Sequence, residues 1–148
     1  MVKKDKSIGF FISYLTRQAH RNFELEFARH GLNRGSIFIL KQLYRHDGIR
    51  QSVLSSSLHF DKANIARIIQ KLMKSGFIDK DKDNTDSRAN KIFLTQKARD
   101  FESEFNSIFQ GWNRVILKGF SKADEKILWN SLHQMVENSE RYFQDMNK

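Results

Sequence analysis

The 148-residue chain carries 26 basic and 17 acidic side chains, a net charge of +9, and 39% hydrophobic residues including 13 Phe, with neither Pro nor Cys. Lack of cysteine excludes disulfides, thiolate zinc sites, iron–sulfur clusters and thiol redox switches, and so large an apolar supply excludes wholesale disorder. Basic outnumber acidic residues 9 to 4 in positions 1–49 and 9 to 5 in positions 50–95, but balance 8 to 8 in positions 96–148. The first two thirds should therefore attract a polyanion, and nucleic acid is the commonest one. The start, Met1 to Lys6, is charged and lacks an apolar signal core. No run approaches the roughly 20 apolar residues of a membrane span, so a cytoplasmic location with no membrane partner is expected.

A Pro-free chain with 7 Gly favours uninterrupted helices. Gly31, Gly48, Gly76 and Gly119 each follow a helical stretch with a basic residue near its end, as C′ glycines do. They bound a first helix from about Ser7 to His30 and a second from about Asn33 to His46. The second is strongly apolar through Ile37, Phe38, Leu40 and Leu43, which assigns it to the core. A short helix over Gln51–Leu58 follows, with Leu54 and Leu58 on one face, then a break at His59-Phe60. Asp61 suits the N-cap of a helix running to Ser75. In it Ile65, Ile68, Ile69 and Leu72 form an apolar stripe, opposite Ala63, Ala66, Arg67, Gln70, Lys71 and Lys74. A short helix, a tight break and a helix with a small, basic outer face make a helix-turn-helix pattern.

After Gly76 the period changes. Residues 77–81 and 90–94 alternate as short strands joined by a polar loop from Lys82 to Ala89, a β-hairpin directly after the helix pair. Thr95 can cap a long helix ending near Lys118, in which Phe101, Phe105, Ile108, Trp112 and Val115 recur at the spacing of a helix-packing seam. Ser121-x-x-Asp124 is a capping-box start for a last helix whose apolar face is Ile127, Leu128, Leu132, Met135 and Val136. The apolar faces at both ends exceed what a small domain can cover, which implies a partner surface, and a two-fold homodimer is the commonest form.

This order of parts resembles the MarR family of winged helix-turn-helix regulators over nearly the whole chain. The most specific piece is the run from Asp86 through Arg88 to Leu94-Thr95, which matches the family's wing pattern D-x-R-x(5)-L-T without gaps. The run from Asn64 to Ile78 is similar to the family's recognition helix with its exit glycine, and Arg50-Gln51-Ser52-Val53-Leu54-Ser55 resembles the opening of the preceding helix. Arg50 replaces the usual capping Thr or Ser, and Ser55-Ser56-Ser57 stands where stronger helix formers are usual.

The resemblance implies a mostly α chain: an N-terminal dimerisation helix (1–30), a winged helix-turn-helix DNA-binding domain with a small β-hairpin wing (31–95), and C-terminal dimerisation helices (96–148). In such a fold the helix after Asp61 enters the major groove of duplex DNA. Ala63 and Ala66 allow close approach there, Arg67 can donate twice to guanine, and Lys62 and Asn64 are first-turn candidates. Gln70 and Lys71 suit phosphates, as do Gln51 and Ser52 at the start of the preceding helix. Arg88 is the natural minor-groove probe, with Asp86 holding its direction. The family's effectors are small and often aromatic or anionic; Phe10, Tyr14, Arg17, Phe38, Phe105 and Phe109 could line such a cleft, with Arg17 as the anion partner.

Other chemistry is disfavoured. Asp79, Asp81 and Asp83 imitate an EF-hand start, but Asn84 and Asn90 occupy its glycine and glutamate positions. The five histidines lack metal-ligand spacing, and no nucleophile motif or phosphate-cradling glycine loop appears. No enzyme activity, metal or cofactor is expected. The expected function is a homodimeric repressor of a pseudo-palindromic operator, released by a small effector. The competing reading is a winged-helix module for protein–protein assembly, which would place apolar or acidic residues where Arg67, Lys71 and Lys74 stand.

Overall fold

The computed structural model describes residues 7–58, 61–83 and 86–146, with side chains described outside positions 57–58, 62, 83 and 86–89. The elements run α1 (Ile8–Ala28), α2 (Arg34–Arg45), β1 (Ile49–Arg50), α3 (Gln51–Leu58), α4 (Lys62–Lys74), β2 (Ile78–Asp83), β3 (Asp86–Leu94), α5 (Gln96–Ile116) and α6 (Lys122–Met146). Two compact units result, residues 1–110 and 111–148.

In the first unit, helix starts follow side-chain capping, which satisfies N–H groups that lack an intrahelical acceptor. Ser7 accepts from the Phe10 N–H, Asn33 from that of Ser36, and Asp61 from that of Asn64. Exit from α4 uses a left-handed glycine: Gly76 has φ 71°, its N–H donates to the Met73 carbonyl, and the Phe77 N–H donates to that of Leu72. This is the paired closure of a Schellman motif, with Phe77 and Leu72 both buried beside it. Thr95 caps α5 by accepting from the Ala98 N–H, as its position predicts.

The sheet is antiparallel in the order β1-β3-β2. Ile78 pairs with Leu94 and Lys80 with Ile92, and the ladder has an irregularity at Lys82/Asp83. Both wing strands are longer than the expected segments, because the alternating Asp and Lys of β2 lie on an exposed edge where charge is tolerated. The strand β1 carries no sequence signal of its own. It forms because Ile49 and Arg50 pair with Ile92 and Lys91 of β3. Gly48 makes the entry possible: its φ is 74°, and a Cβ there would lie 2.8 Å from the Phe93 ring. The predicted break at His59-Phe60 and the hairpin residues Asn84 and Thr85 lie outside the described residues.

The core joins all these elements. Phe27 of α1, Ile37, Leu40 and Leu43 of α2, Leu54 of α3, Ile65 and Leu72 of α4, Ile78 and Ile92 of the wing, and Phe101 and Phe105 of α5 are buried together. Phe38, assigned to the core with its neighbours, is only half-buried. Where α2 meets α4, Gly35 leaves room for Ile68; an added Cβ would stand 2.5 Å from its Cδ1. In the second unit, Ser121 and Asp124 complete the predicted reciprocal capping box of α6. The Asp124 N–H donates to Ser121 Oγ at 3.2 Å and the Ser121 N–H to the Asp124 carboxylate at 3.1 Å. Among the described residues α6 has no buried side chain, and no helix is long and apolar enough to cross a membrane.

Candidate nucleic-acid interface

Helix α4 divides cleanly by face. Ile65, Ile68, Ile69 and Leu72 are buried, while Ala63, Arg67, Gln70, Lys71 and Lys74 are exposed. Ala66 and Asn64 are half-buried, so Asn64 is set deeper than Arg67. Small residues at 63 and 66 keep that face low between the cations, the relief a helix needs to approach base edges. Lys62 has its backbone in the first turn of α4 and its side chain outside the described set.

At the start of α3, Ser52 is exposed and Gln51 half-buried. Two of the serines that depart from the usual pattern, Ser55 and Ser56, turn back on their own helix. Ser55 Oγ donates to the Gln51 carbonyl and Ser56 Oγ to those of Ser52 and Val53. Such back-bonding gives each hydroxyl a partner without strengthening the helix, which is held instead by Leu54, fully buried in the core. Asp86 and Arg88 have their backbone in β3, and their side chains lie outside the described residues.

Further side-chain contacts, which sequence reasoning missed, tie this surface to α5. Lys97 Nζ donates to the Ser75 carbonyl at 2.7 Å and lies over the Phe77 ring, so a cation meets the negative end of α4. Thr95 Oγ1 donates to the Gly76 carbonyl at 2.7 Å. Asp47 is held between the Leu94 N–H and Arg99. A basic residue in the first turn of α5 is visible in the sequence, but Lys97 finds its carbonyl partner on Ser75, 22 positions away.

The residues expected around an effector cleft stand on α1, α2 and α5. Phe10 stacks with Tyr14 at 6.2 Å, and the Arg17 guanidinium lies 5.9 Å from the Tyr14 ring, all on α1. Phe38 lies under Arg34 on α2. Phe105 is in the core, 1% exposed, with ring neighbours Phe27, Tyr44, Phe101 and Phe109. Phe109 packs on Phe23 at 4.6 Å and carries the Lys41 ammonium 4.9 Å above its ring. Burial, and next the Arg45 charge, lower the Lys41 pKa. Tyr44 donates to the Ala98 carbonyl at 2.7 Å, and burial, then Glu102, push its ionisation well above the usual tyrosine range. Among the described residues no group of His, Asp and Glu is arranged to hold a metal ion.

A helix α2 with one face buried in the core, the pair α3–α4 and a three-stranded antiparallel sheet define a winged helix-turn-helix protein. The MarR family model matches residues 32–89. A MarR transcriptional regulator from Methanosarcina mazei Go1, solved as a crystal structure, is 34% identical, with 91% of this chain and 97% of that one covered and a TM-score of 0.82. The HTH-type transcriptional regulator YybA of Bacillus subtilis is 28% identical over 93% of this chain and 91% of its own length. A MarR family regulator from Listeria monocytogenes, solved in complex with a 26mer DNA, is 27% identical, covering 90% of this chain and 89% of that one with a TM-score of 0.76. The chain belongs to the MarR family, and it is a DNA-binding transcriptional regulator rather than an enzyme.

Proposed function

We propose that the protein is a cytoplasmic, homodimeric repressor that binds a pseudo-palindromic duplex operator and is released by a small aromatic or anionic effector. The observation that carries the reading is the exposed face of α4, where Arg67, Gln70, Lys71 and Lys74 surround the small Ala63. Arg67 reads a base edge, joined by Asn64 and Lys62 from the first turn. Gln70, Lys71, Gln51 and Ser52 hold phosphates, which fix register without reading sequence. Arg88 enters the minor groove beside the operator core, oriented by Asp86. Segment 31–95 thus serves as the DNA-binding domain.

Segments 1–30 and 96–148 serve dimerisation. Ile8, Phe11, Ile12 and Leu15 are exposed on α1, as are Ile127, Trp129, Leu132 and Val136 on α6, and exposed apolar surface of this extent favours burial against a second copy. For the effector, the support is one face of α2, where Arg34, Phe38, Lys41 and Arg45 recur at helical spacing with no acidic residue on the helix. An anion near Lys41 relieves its repulsion from Arg45, and Phe38, Phe109, Phe10, Tyr14 and Arg17 supply aromatic and cationic contacts, with Phe105 supporting them from the core. The deciding experiment selects bound sequences from random duplexes. Recovery of a two-fold motif supports the reading, and recovery of no motif refutes it.

A further inference from the structure

Asp47 occupies a place where the sheet lacks a strand residue. The register of β1 against β3, Ile49 opposite Ile92 and Arg50 opposite Lys91, puts Asp47 opposite Leu94 when continued back two steps. The main chain has turned away there at Gly48, and the Asp47 carboxylate takes over. Its Oδ1 accepts the Leu94 N–H at 2.9 Å and the Gly48 N–H at 3.0 Å. Its Oδ2 accepts from Arg99 Nη2 at 2.6 Å, and the same guanidinium nitrogen donates to the Leu94 carbonyl at 3.3 Å. Leu94 is the last residue of β3 and is thereby held through both of its backbone polar groups. Arg99 stands on the turn of α5 that leads into the buried Phe101 and Phe105. The clasp therefore joins the base of the wing to an element whose position the core fixes.

Stability alone is a poor account of this arrangement. The side chains are 49% and 29% exposed for Arg99 and Asp47, and exposed ion pairs contribute little to folding. A carboxylate just beyond the C-terminal end of α2 also meets the negative end of that helix, an unfavourable placement that Arg99 offsets. What the pair controls is direction: β3 leaves Leu94 toward Arg88, so a small rotation at the base displaces the distal part of the wing. We propose that Asp47 and Arg99 are positioning residues for DNA binding, a clasp that sets the angle at which the wing meets the minor groove. The inference rests on the reading that the wing engages DNA.

The test uses the full chain, a fluorescent operator duplex with A·T-rich or G·C-rich flanks at matched salt, and amide hydrogen exchange at Leu94. Arg99→Gln weakens binding to the A·T-flanked duplex about fivefold, in the range expected when one charged contact is misplaced. It weakens binding to the G·C-flanked duplex less, and Arg99→Lys restores most of the loss. Asp47→Asn, which keeps an oxygen for the Leu94 N–H, behaves as Arg99→Gln does. In an Arg88→Ala background Arg99→Gln costs nothing further, because the side chain it aims is gone. Equal losses on both flanks, or full additivity with Arg88→Ala, overturn the proposal. Should Arg88→Ala itself bind like the parent, the minor-groove reading fails instead. The clasp is then judged by exchange: faster exchange at Leu94 in Arg99→Gln supports it, and unchanged protection overturns it.

Discussion

Phe105 lies in the core, 1% exposed, and its truncation gives a sharp test. Its ring lies 4.9 Å from Tyr44, 5.0 Å from Phe27, 5.3 Å from Phe109 and 6.2 Å from Phe101, at tilted or edge geometries. Phe-to-Ala changes in a packed core cost about 3–5 kcal/mol, through lost transfer energy and the cavity left behind. Four surrounding rings place Phe105→Ala in the upper half of that range, since each aromatic pair contributes roughly 0.5–1.5 kcal/mol beyond area burial. Against a total stability of about 5–15 kcal/mol, this is a large fraction. Phe105→Leu, which keeps most of the volume, should cost under about 1.5 kcal/mol. The assay is urea unfolding at fixed protein concentration, because association couples to apparent stability. The midpoint should fall in Phe105→Ala with an unchanged slope. A loss below about 2 kcal/mol, well under the range for a packed core ring, would refute the assignment of Phe105 to the core and return it to a cleft wall.

Other predictions concern reading, assembly and one helix cap. Arg67→Ala should cost on the order of 1–3 kcal/mol on the true operator and flatten preference at one position per half-site, whereas Lys71→Ala should weaken all sequences alike and reduce the salt slope by roughly one unit; equilibrium binding at several salt concentrations separates the two. Inserting about half a DNA turn between half-sites should abolish tight binding, since two-fold proteins need centres roughly 34–36 Å apart, and retained affinity in a mobility-shift assay would mean that the subunits bind independently. Trp129→Glu, placed on the exposed apolar face of α6, should shift sedimentation toward the monomer, because a carboxylate there would have to be desolvated on association. Hydrogen bonds from the Ser121 side chain and backbone lower the Asp124 pKa below its ordinary 3.8. The folded value is depressed, so the cap contributes fully above the unfolded pKa and is lost as pH falls through the folded one. An NMR titration should place the Asp124 midpoint below 3.8 in the parent and return it toward that value in Ser121→Ala.

The parts legible in the sequence are those whose physics is local. Asp61 and Thr95 cap α4 and α5 through bonds spanning three residues, and the Ser121–Asp124 box needs nothing beyond its own turn. The Ile65, Ile68, Ile69 and Leu72 stripe fixes which side of α4 is inward, and the candidate readers follow by exclusion. Long-range partners were not legible. Arg50 reads as a poor helix opening until its pairing with Lys91 makes it a strand residue. Phe105 and Phe109 have the same aromatic spacing whether they line a cleft or fill a core, and the full burial of Phe105 becomes visible only in the fold. Asp47 and Arg99 are 52 positions apart, and no periodicity connects a turn carboxylate to one cation among many.

The close approach at Gly35 has a consequence for how such a regulator can change. Beneath Ile68 there is no room for even a methyl group unless the isoleucine gives way, so the inward side of α4 is constrained by its neighbour on α2. The outward side, from Ala63 through Lys71, meets no such limit. Thirteen consecutive residues thus carry two patterns interleaved by the helical repeat, one packed into the fold and one open to solvent. Substitutions in the second leave the first intact, so on the reading proposed for α4 new operators come within reach by single steps without loss of the folded state. Recognition, so placed, is free to drift while the architecture stays still.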